Sequence, residues 1–233
     1  MVESFFLGRR MDIHHNHSDP ILLLSGPPSC GKTSLLFQFA YNCALESNCN
    51  VVFICNRRRL EIKPPFLSQG IDPSSHVFQR IQMKYVEDDE GIKNYFAAFH
   101  LHDTFPAAVI VDDFGDLFEE RRCQERYANP RGRDLAMVRI LALCYNAIVH
   151  ANEKGPCKLL LSDTHHGNSP RLLFLYKRWI SSIFTVRGDG SGSFLLKNNN
   201  YSESYDSGRT RTAKYSIALQ YLFLEGIIEE TER

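Results

Sequence analysis

One eight-residue stretch, Gly26-Pro27-Pro28-Ser29-Cys30-Gly31-Lys32-Thr33, constrains the fold of this chain more than any other feature of its sequence. It lies between an apolar run, Ile21 to Leu24, and a segment with apolar residues at helical spacing, Thr33 to Leu45. Glycines let the backbone wrap around an anion, and the positive end of the following helix points at the same anion. The stretch fits G-x-x-x-x-G-K-[ST] between a strand and a helix, so it predicts a loop that holds the phosphates of a nucleoside triphosphate.

The residues of this loop have separate predicted roles. Lys32 supplies a positive charge to the β- and γ-phosphates, and the Thr33 hydroxyl is a ligand of magnesium. ATP and Mg²⁺ are therefore the predicted cofactors, and Lys32 is a predicted catalytic residue. The predicted nucleotide contacts are Gly26, Pro27, Pro28, Ser29, Cys30, Gly31, Lys32, Thr33 and Ser34.

A second apolar run ends in two acidic residues. Ala107 to Val111 is followed by Asp112 and Asp113. In a P-loop site an Asp at the end of a buried strand lies near the magnesium, directly or through water. Asp112 is the predicted second metal ligand and Asp113 the alternative. Taken alone, the pattern fits a strand that ends in a solvated acidic turn equally well.

Further runs of β-branched and aromatic residues alternate with helical patterns, which is typical of a parallel sheet with helical crossovers. The runs are Val51 to Cys55 and Lys158 to Leu161, and the clearest helix is Leu135 to Ala151. In the C-terminal third the predicted strands are Ile180 to Val186, Ser193 to Lys197 and Lys214 to Leu224, with GDGSG at 188–192 as a hairpin signal. We expect a short arm at 1–19 and one α/β domain at 20–233, in which 198–212 is a mobile loop.

Composition limits the possible functions. Lys plus Arg equals Asp plus Glu, 27 each, so any nucleic-acid contact must come from local clusters. The seven cysteines are odd in number and contain no C-x-x-C pair, which indicates reduced thiols rather than a disulfide frame or a zinc site. No apolar run approaches the ~20 residues of a membrane span, so we expect a soluble protein of the cytoplasm or nucleus with no membrane partner.

The order of these elements resembles the core of RecA-type recombinases. Three stretches are similar to the SWIM-domain-protein-associated recombinase paralogues, namely 21–40, 51–65 and 72–88. Their more specific part is Arg57-Arg58-Arg59-Leu60 after the second strand, followed by Gln79-Arg80-Ile81 and Tyr85. The resemblance covers roughly residues 20 to 190 and fades in the C-terminal third.

The resemblance implies a RecA-like core and a role in the nucleus. Proteins of this family bind DNA and hydrolyse ATP in homologous recombination, during DNA repair or meiosis. They work in a complex with a SWIM-type zinc-finger protein and support a recombinase or other recombinase paralogues. Single-stranded DNA is therefore an expected partner.

One departure from the RecA pattern bears on catalysis. RecA-type enzymes carry a Glu just after the second core strand, which polarises the attacking water. Here Cys55-Asn56-Arg57-Arg58 occupies that place, and Glu61 is displaced. In-line attack needs a group that positions water near the γ-phosphate. We therefore expect tight nucleotide binding with slow turnover, and Asp113 is the predicted substitute.

Two segments are candidates for contacting DNA. The predicted contacts are Arg121, Arg122, Arg126, Arg131 and Arg133 in the segment 119–133, and Arg171 in the segment 164–171. Three glutamates interleave with the first set, so a solvated, salt-bridged helix is an equal alternative. The run Arg57 to Arg59 could contact DNA, a neighbouring subunit's nucleotide or an acidic partner. Asp163 or Thr164, at the end of the fourth strand, either senses the γ-phosphate, as the resemblance implies, or forms a simple turn.

Two other functions stay open at this point. A P-loop kinase for a small molecule would use 119–133 as a lid. A protein-interaction scaffold would keep ATP as a structural ligand with little hydrolysis, which the missing Glu favours.

Overall fold

The computed structural model describes residues 2–7, 19–165, 172–200 and 209–231. Its strands are β1 (Ile21–Gly26), β2 (Val51–Cys55), β3 (Ile81–Tyr85), β4 (Ala108–Val111), β5 (Lys158–Thr164), β6 (Ser182–Gly188), β7 (Phe194–Asn200), β8 (Arg209–Ala218) and β9 (Tyr221–Thr231). Its α-helices are α1 (Lys32–Ser47), α2 (Arg57–Ile62), α3 (Asp89–Ala97), α4 (Arg121–Arg126), α5 (Pro130–Asn152) and α6 (Leu173–Tyr176). Short 3₁₀ helices cover Val2–Phe5, His76–Arg80, Phe99–Leu101 and Phe114–Phe118.

All nine described strands belong to one sheet, in the order β3-β2-β4-β5-β1-β6-β7-β8-β9. The strands from β3 to β6 in this order run parallel. The pairs β6–β7, β7–β8 and β8–β9 are antiparallel. The predicted α/β class, with a mostly parallel sheet and antiparallel C-terminal strands, is confirmed. In this arrangement the carboxyl ends of β1, β2, β4 and β5 meet at one edge of the sheet.

Apolar side chains cover both faces of the sheet. Along β1, Leu22 and Leu24 belong to the core on the α1 side, while Ile21 and Leu23 belong to the core that includes residues of α3 and α5. Successive strand residues point to opposite faces, so a strand covered on both sides is apolar throughout. This burial explains why the parallel strands are uninterrupted apolar runs in the sequence.

A side-chain cap fixes where α5, the longest described helix, begins. The Asn129 carboxamide oxygen accepts a hydrogen bond of 2.7 Å from the Gly132 N–H, and Pro130 is the first residue of α5. This cap extends α5 beyond the predicted Leu135 to Ala151 segment, because capping and apolar periodicity are separate signals. By length and composition alone α5 could cross a membrane, but a core helix passes the same test and seven residues of α5 are buried here.

The first residues of the chain are part of the core. We expected a short arm at 1–19, but residues 2–7 pack against the sheet face that α1 covers. The Phe5 ring is fully buried and lies 5.0 Å from the Phe184 ring, centroid to centroid. The Asn42 side chain in α1 donates a 3.0 Å hydrogen bond to the Phe6 carbonyl. This segment therefore belongs to the α/β domain.

The predicted single strand from Lys214 to Leu224 is wrong. β8 and β9 form a hairpin whose turn is Leu219 and Gln220. Both turn residues have positive φ, 50° and 64°, which is the backbone of a type I′ turn. Asn and Gly usually mark such turns. Leu and Gln do not, so the sequence carried no signal for this one.

Around β7 the predicted hairpin is confirmed, and two smaller differences concern the ends of the predicted loop after β7 and the strand β3. The hairpin predicted at GDGSG joins β6 to β7, and the Asp189 carboxylate accepts from the N–H groups of Ser191 and Ser193 at 2.8 and 3.1 Å. Both ends of the loop predicted at 198–212 are strand residues, because β7 continues to residue 200 and β8 starts at residue 209. The residues between them lie outside the described part. β3 was not predicted, since it is an edge strand with polar exposed residues.

Candidate nucleotide-binding site

The predicted phosphate-binding loop joins β1 to α1 at the carboxyl edge of the sheet. Gly31 has a φ of +84°, which side chains rarely tolerate. A Cβ on Gly31 would lie only 2.2 Å from Cδ1 of Ile217 in β8. Glycine is therefore required here both by the backbone and by the hairpin packed against the loop.

Lys32 is the first residue of α1, and its ammonium group lies over the loop. The Lys32 Nζ donates to the carbonyls of Gly26 at 3.4 Å and Pro27 at 3.2 Å. The Lys32 side chain is buried within the loop, so its ammonium group is held close to the loop backbone. This is the place at which a P-loop lysine meets phosphate oxygens.

Thr33 and Asp112 meet although they are 79 residues apart. The Thr33 hydroxyl donates to one Asp112 carboxylate oxygen at 2.8 Å, and the Ser162 hydroxyl donates to the other at 2.9 Å. A hydroxyl and a carboxylate are the oxygen ligands that magnesium prefers, completed by waters and phosphate oxygens. The Thr33 hydroxyl and the Asp112 carboxylate therefore fit a magnesium ion that is bound together with a nucleotide. Within the described ranges, no group of three or more His, Cys, Asp or Glu side chains is placed to hold a metal ion. A metal at this site would therefore need the phosphate oxygens of a nucleotide as further ligands.

The environment of Asp112 suits a cation. Burial of the carboxylate, followed by the nearby charge of Asp113, raises the pKa of Asp112 from 3.8 to about 6. The hydrogen bonds from Thr33 and Ser162 act in the opposite direction and lower it. At neutral pH the Asp112 carboxylate is ionised in surroundings that disfavour its charge, and a divalent ion would stabilise that charge.

Asp113, the next residue along the chain, also lies at this site. Its backbone N–H donates to the Ser162 hydroxyl at 2.8 Å, and its carboxylate accepts from the Thr164 hydroxyl at 3.1 Å. The second carboxylate oxygen lies 3.8 Å from the Arg59 guanidinium. Ser162 thus contacts both acidic residues, and Asp113 is connected to β5 and to α2.

Asn56, the residue directly after β2, caps a helix. Its carboxamide oxygen accepts from the Arg59 N–H at 3.2 Å and so starts α2. The Glu61 carboxylate instead pairs with Arg57 at 2.8 Å, and 63% of its side chain is exposed. A small cavity beside the metal residues is lined by Asn56, Arg59, Asp112, Asp113 and Leu117. Glu61 does not line it, so the geometry agrees with a displaced acid.

Arg59 has several carboxylate partners. Its guanidinium contacts Asp116 at 2.6 Å and Glu120 at 2.7 Å, in addition to the longer approach to Asp113. Arg59 therefore links α2 to the segment between β4 and α4. The sequence placed Arg59 in a basic run but gave no indication of these partners, which lie roughly sixty residues away.

The other predicted loop residues contribute mainly shape. Pro27 and Pro28 have no N–H to offer a phosphate. Cys30 is buried, burial raises the pKa of its thiol, and its carbonyl accepts a 2.7 Å hydrogen bond from the Tyr215 hydroxyl. The Ser34 hydroxyl accepts from the Phe66 N–H at 2.9 Å.

The segment 119–133, with most of the predicted DNA contacts, contains α4 and the start of α5. Arg121 pairs with Glu125 at 2.7 Å and Arg122 with Glu87 at 2.6 Å, both highly exposed. Arg126 contacts Asp88, at 3.3 Å, and Asp89. The salt-bridged helix, which the charge pattern left as an equal alternative, is what forms in α4.

The remaining predicted arginines are separated from these. Arg131 and Arg133 lie in the first turns of α5. Arg133 borders a different cavity of about 220 Å³, together with Pro130 and Met137. Arg171 lies outside the described residues, so the structure does not place it.

Sequence reasoning missed Ser162, Tyr215 and Ile217. For Ser162 a signal existed, since it is a polar residue near the end of an apolar strand that neighbours the Asp112 strand. For Tyr215 and Ile217 there was none, because their contact with the loop depends on where the C-terminal hairpin folds.

Comparison with known proteins concerns the fold. No protein-family model and no curated protein sequence matches the chain. Among solved structures it is similar to a KaiC-like protein from the hyperthermophilic archaeon Pyrococcus horikoshii OT3, with a TM-score of 0.58 and 14% identity over 89% of both chains. The closer resemblance to SWIM-associated recombinase paralogues stays a prediction. The chain has the α/β P-loop fold with a RecA-like core.

Proposed function

We propose that this chain binds ATP with Mg²⁺ at the 26–34 loop and hydrolyses it slowly. The contact of the Thr33 hydroxyl with Asp112, at 2.8 Å, carries the proposal. It joins the end of the phosphate loop to the end of the neighbouring acidic strand, which is the pairing that a magnesium nucleotide requires. When bound, magnesium would neutralise charge on the phosphate oxygens.

Binding the phosphates and positioning the attacking water are roles of different residues of the chain. Lys32 binds the terminal phosphates, and the loop N–H groups together with the start of α1 orient them. Asp113 is the group that we assign to positioning water, since it borders the small cavity beside Asp112 and is oriented by Thr164 and Arg59. Its acceptor oxygens are shared with those partners, which is a reason for slow turnover.

The finer part of the proposal is that the protein acts on single-stranded DNA in homologous recombination. It rests on the stretches that resemble SWIM-associated recombinase paralogues and on the exposed arginines of α2 and α4. A SWIM-type zinc-finger protein, a recombinase or its paralogues, and a nuclear location are parts of the same proposal. Arg59 would couple nucleotide state to DNA affinity, because it connects Asp113 with Glu120 at the start of α4.

Nucleotide binding is tested by thermal unfolding with Mg²⁺ and ATP. At a nucleotide concentration of about 100 times Kd, binding adds about 2.7 kcal/mol to the free energy of unfolding, a rise in Tm of about 6 °C for a chain of this size. We expect Lys32→Ala to abolish the rise, while the control Lys63→Ala keeps it. Asp113→Asn should keep the rise and lower phosphate release at least tenfold. A rise that survives in Lys32→Ala would contradict the site.

DNA binding is tested with a labelled single-stranded oligonucleotide at physiological salt, with and without ATP. We expect affinity that depends on nucleotide in the wild type and is independent of it in Lys32→Ala. Equal affinity under all conditions would refute the coupling. Absence of binding in every state would refute the DNA role and leave the nucleotide site untouched.

The scaffold with a structural ATP is the second candidate. Asn56 in place of a Glu favours it, as does the packing of Ile217 and Tyr215 against the loop. It predicts the same thermal shift with no phosphate release. A small-molecule kinase is disfavoured, because the proposed lid is a helix with Cys123 buried and Arg126 tied to α3 and its cap.

A further inference from the structure

An open groove of about 870 Å³ lies beside the nucleotide site. Residues of α2 form one wall, residues at the start of α4 form the other, and Tyr85, Val86 and Glu87 lie between them. The groove follows the carboxyl ends of β2 and β3, whereas the nucleotide loop follows β1. It is therefore distinct from the nucleotide site but adjoins it.

Both walls of the groove carry exposed arginines. Arg57 and Arg58 come from α2, and Arg121 and Arg122 come from α4. The side chains of Arg57, Arg121 and Arg122 are 68%, 91% and 67% exposed. Arg58 is exposed too, and it has no ion pair within the described part of the chain. Positive charge thus faces the same space from two sides.

The ion pairs of these arginines do not close the groove. Arg57 pairs with Glu61, Arg121 with Glu125 and Arg122 with Glu87, and every partner is exposed. Such surface pairs contribute little and exchange readily. A phosphate accepts two parallel hydrogen bonds from a guanidinium just as a carboxylate does, so it can replace a solvated carboxylate as the partner. The pairs therefore orient the arginines without preventing them from binding an anion.

Between the walls lies an aromatic ring. Tyr85, the last residue of β3, is 45% exposed, and the Arg57 guanidinium lies 5.3 Å from the centre of its ring. Proteins that bind single strands combine a basic groove with aromatic rings on which bases stack. An acidic peptide would use the arginines but not the ring. The carboxylates of Glu61, Glu87 and Glu120 also line the groove and oppose either anion, so the ring is what distinguishes the two ligands.

We propose that this groove binds single-stranded nucleic acid, with phosphates on Arg58 and Arg122 and a base stacked on Tyr85. The inference rests on the proposed DNA binding and names its site. Arg121 and Arg122 are the predicted DNA contacts that take part. Arg126, held by Asp88 and Asp89, is a structural residue of α4. Arg131 and Arg133 do not line this groove.

The test is fluorescence anisotropy of a labelled oligothymidine at several salt concentrations. The variants are Arg58→Glu with Arg122→Glu, and separately Tyr85→Ala, with the exposed α5 position Arg139→Glu as the matched charge reversal. We expect the double reversal to weaken binding at least tenfold and to reduce the slope of log affinity against log salt by about 1.4, since each lost phosphate contributes about 0.7. Tyr85→Ala should weaken binding about tenfold.

The outcomes separate this inference from the proposed DNA role. Wild type that binds no oligonucleotide refutes the DNA role itself. Wild type that binds, with the groove variants unchanged or with Arg139→Glu equally weakened, refutes the groove alone. A polyglutamate peptide is the competing ligand. If it binds the wild type and only this binding is lost in the double reversal, the groove is a peptide site and the inference is wrong. Retained ATP-induced stabilisation in all variants shows that they are folded.

Discussion

At the scale of single residues, the site concentrates negative charge that Lys32 and Arg59 compensate only in part. Asp112 accepts two hydroxyl hydrogen bonds, yet its pKa stays raised because burial and Asp113 outweigh them. The neighbouring Asp113 has a positive φ of 50°, an uncommon backbone for a residue other than glycine. A backbone of this kind persists where the surrounding structure holds it, and here Ser162, Thr164 and Arg59 all contact Asp113.

Asp112→Asn should therefore stabilise the nucleotide-free protein. The folded pKa of about 6 lies above the ordinary 3.8, so the wild type loses stability as pH rises through that interval, and the loss is complete above it. We expect the variant to gain about 2 kcal/mol in the free energy of unfolding at pH 7.5, and nothing near pH 4.

Urea denaturation at the two pH values measures this gain. Asp103→Asn, a change on the exposed surface, is the control and should have no effect. If Asp112→Asn were less stable than the wild type at pH 7.5, the two hydroxyls would be stabilising the charge, contrary to the raised pKa.

At the scale of elements, the C-terminal hairpin supports the phosphate loop. The Tyr215 hydroxyl holds the Cys30 carbonyl, and Ile217 covers Gly31. Both residues come from β8, whose place in the sheet is separated from β1 by β6 and β7. The shape of the loop thus depends on an element that its own sequence motif does not include.

Tyr215→Phe tests this support. Removing one hydroxyl leaves a buried carbonyl without its partner, which costs about 1 to 2 kcal/mol in the free energy of unfolding. We expect a loss of that size together with an affinity for ATP about five- to tenfold weaker, measured by calorimetry. Tyr221→Phe, on the exposed side of the same hairpin, should change neither. A loss of stability with unchanged affinity would limit the hydroxyl to docking the hairpin.

The elements that could be predicted from the sequence are those whose signals are local. The P-loop motif and the apolar runs of β1, β2, β4 and β5 predict the fold class. A strand that is buried on both faces is a continuous apolar run, which can be recognised in the sequence. The edge strand β3 and the Leu219–Gln220 turn left no such signal. Thr33 and Asp112 could be paired in advance, since the motif implies an acidic strand. Ser162 left a signal that was missed, as a polar residue near the end of an apolar strand. Arg59 and Tyr215 left none, because their roles follow from long-range packing.

At the scale of the whole molecule, the burial of the cysteine thiols shows how well the two hydrophobic cores, one on each face of the sheet, exclude solvent. Six of the seven thiols are buried and Cys49 is exposed, and all seven are free. Burial raises the pKa of Cys43, Cys55, Cys123 and Cys157 to about 12. A thiol reacts as its thiolate, so these groups are inert while the protein is folded.

Titration with Ellman's reagent at pH 8 should accordingly find one fast thiol in the native protein and seven in denaturant. Cys49→Ser should remove the fast phase without slowing the rest. If a second thiol reacts as fast as Cys49, one of the cores opens in the native state. Mg²⁺ with ATP should slow the residual reaction of Cys30 in particular, since the nucleotide would cover its loop.

The packing of residues 2–7 against α1 and of β8 against the phosphate loop also has a consequence for synthesis on the ribosome. The Phe6 ring packs at a tilt against the ring of Tyr215, more than two hundred residues later, at 5.7 Å between ring centroids. Contacts of such sequence separation form late, after the intervening chain has been ordered. A nascent chain that lacks β8 would carry the whole nucleotide motif but not the Tyr215 and Ile217 side chains that pack against it. Capture of nucleotide would then report that synthesis has passed β8, and a product truncated before β8 would be distinguishable from one that contains it.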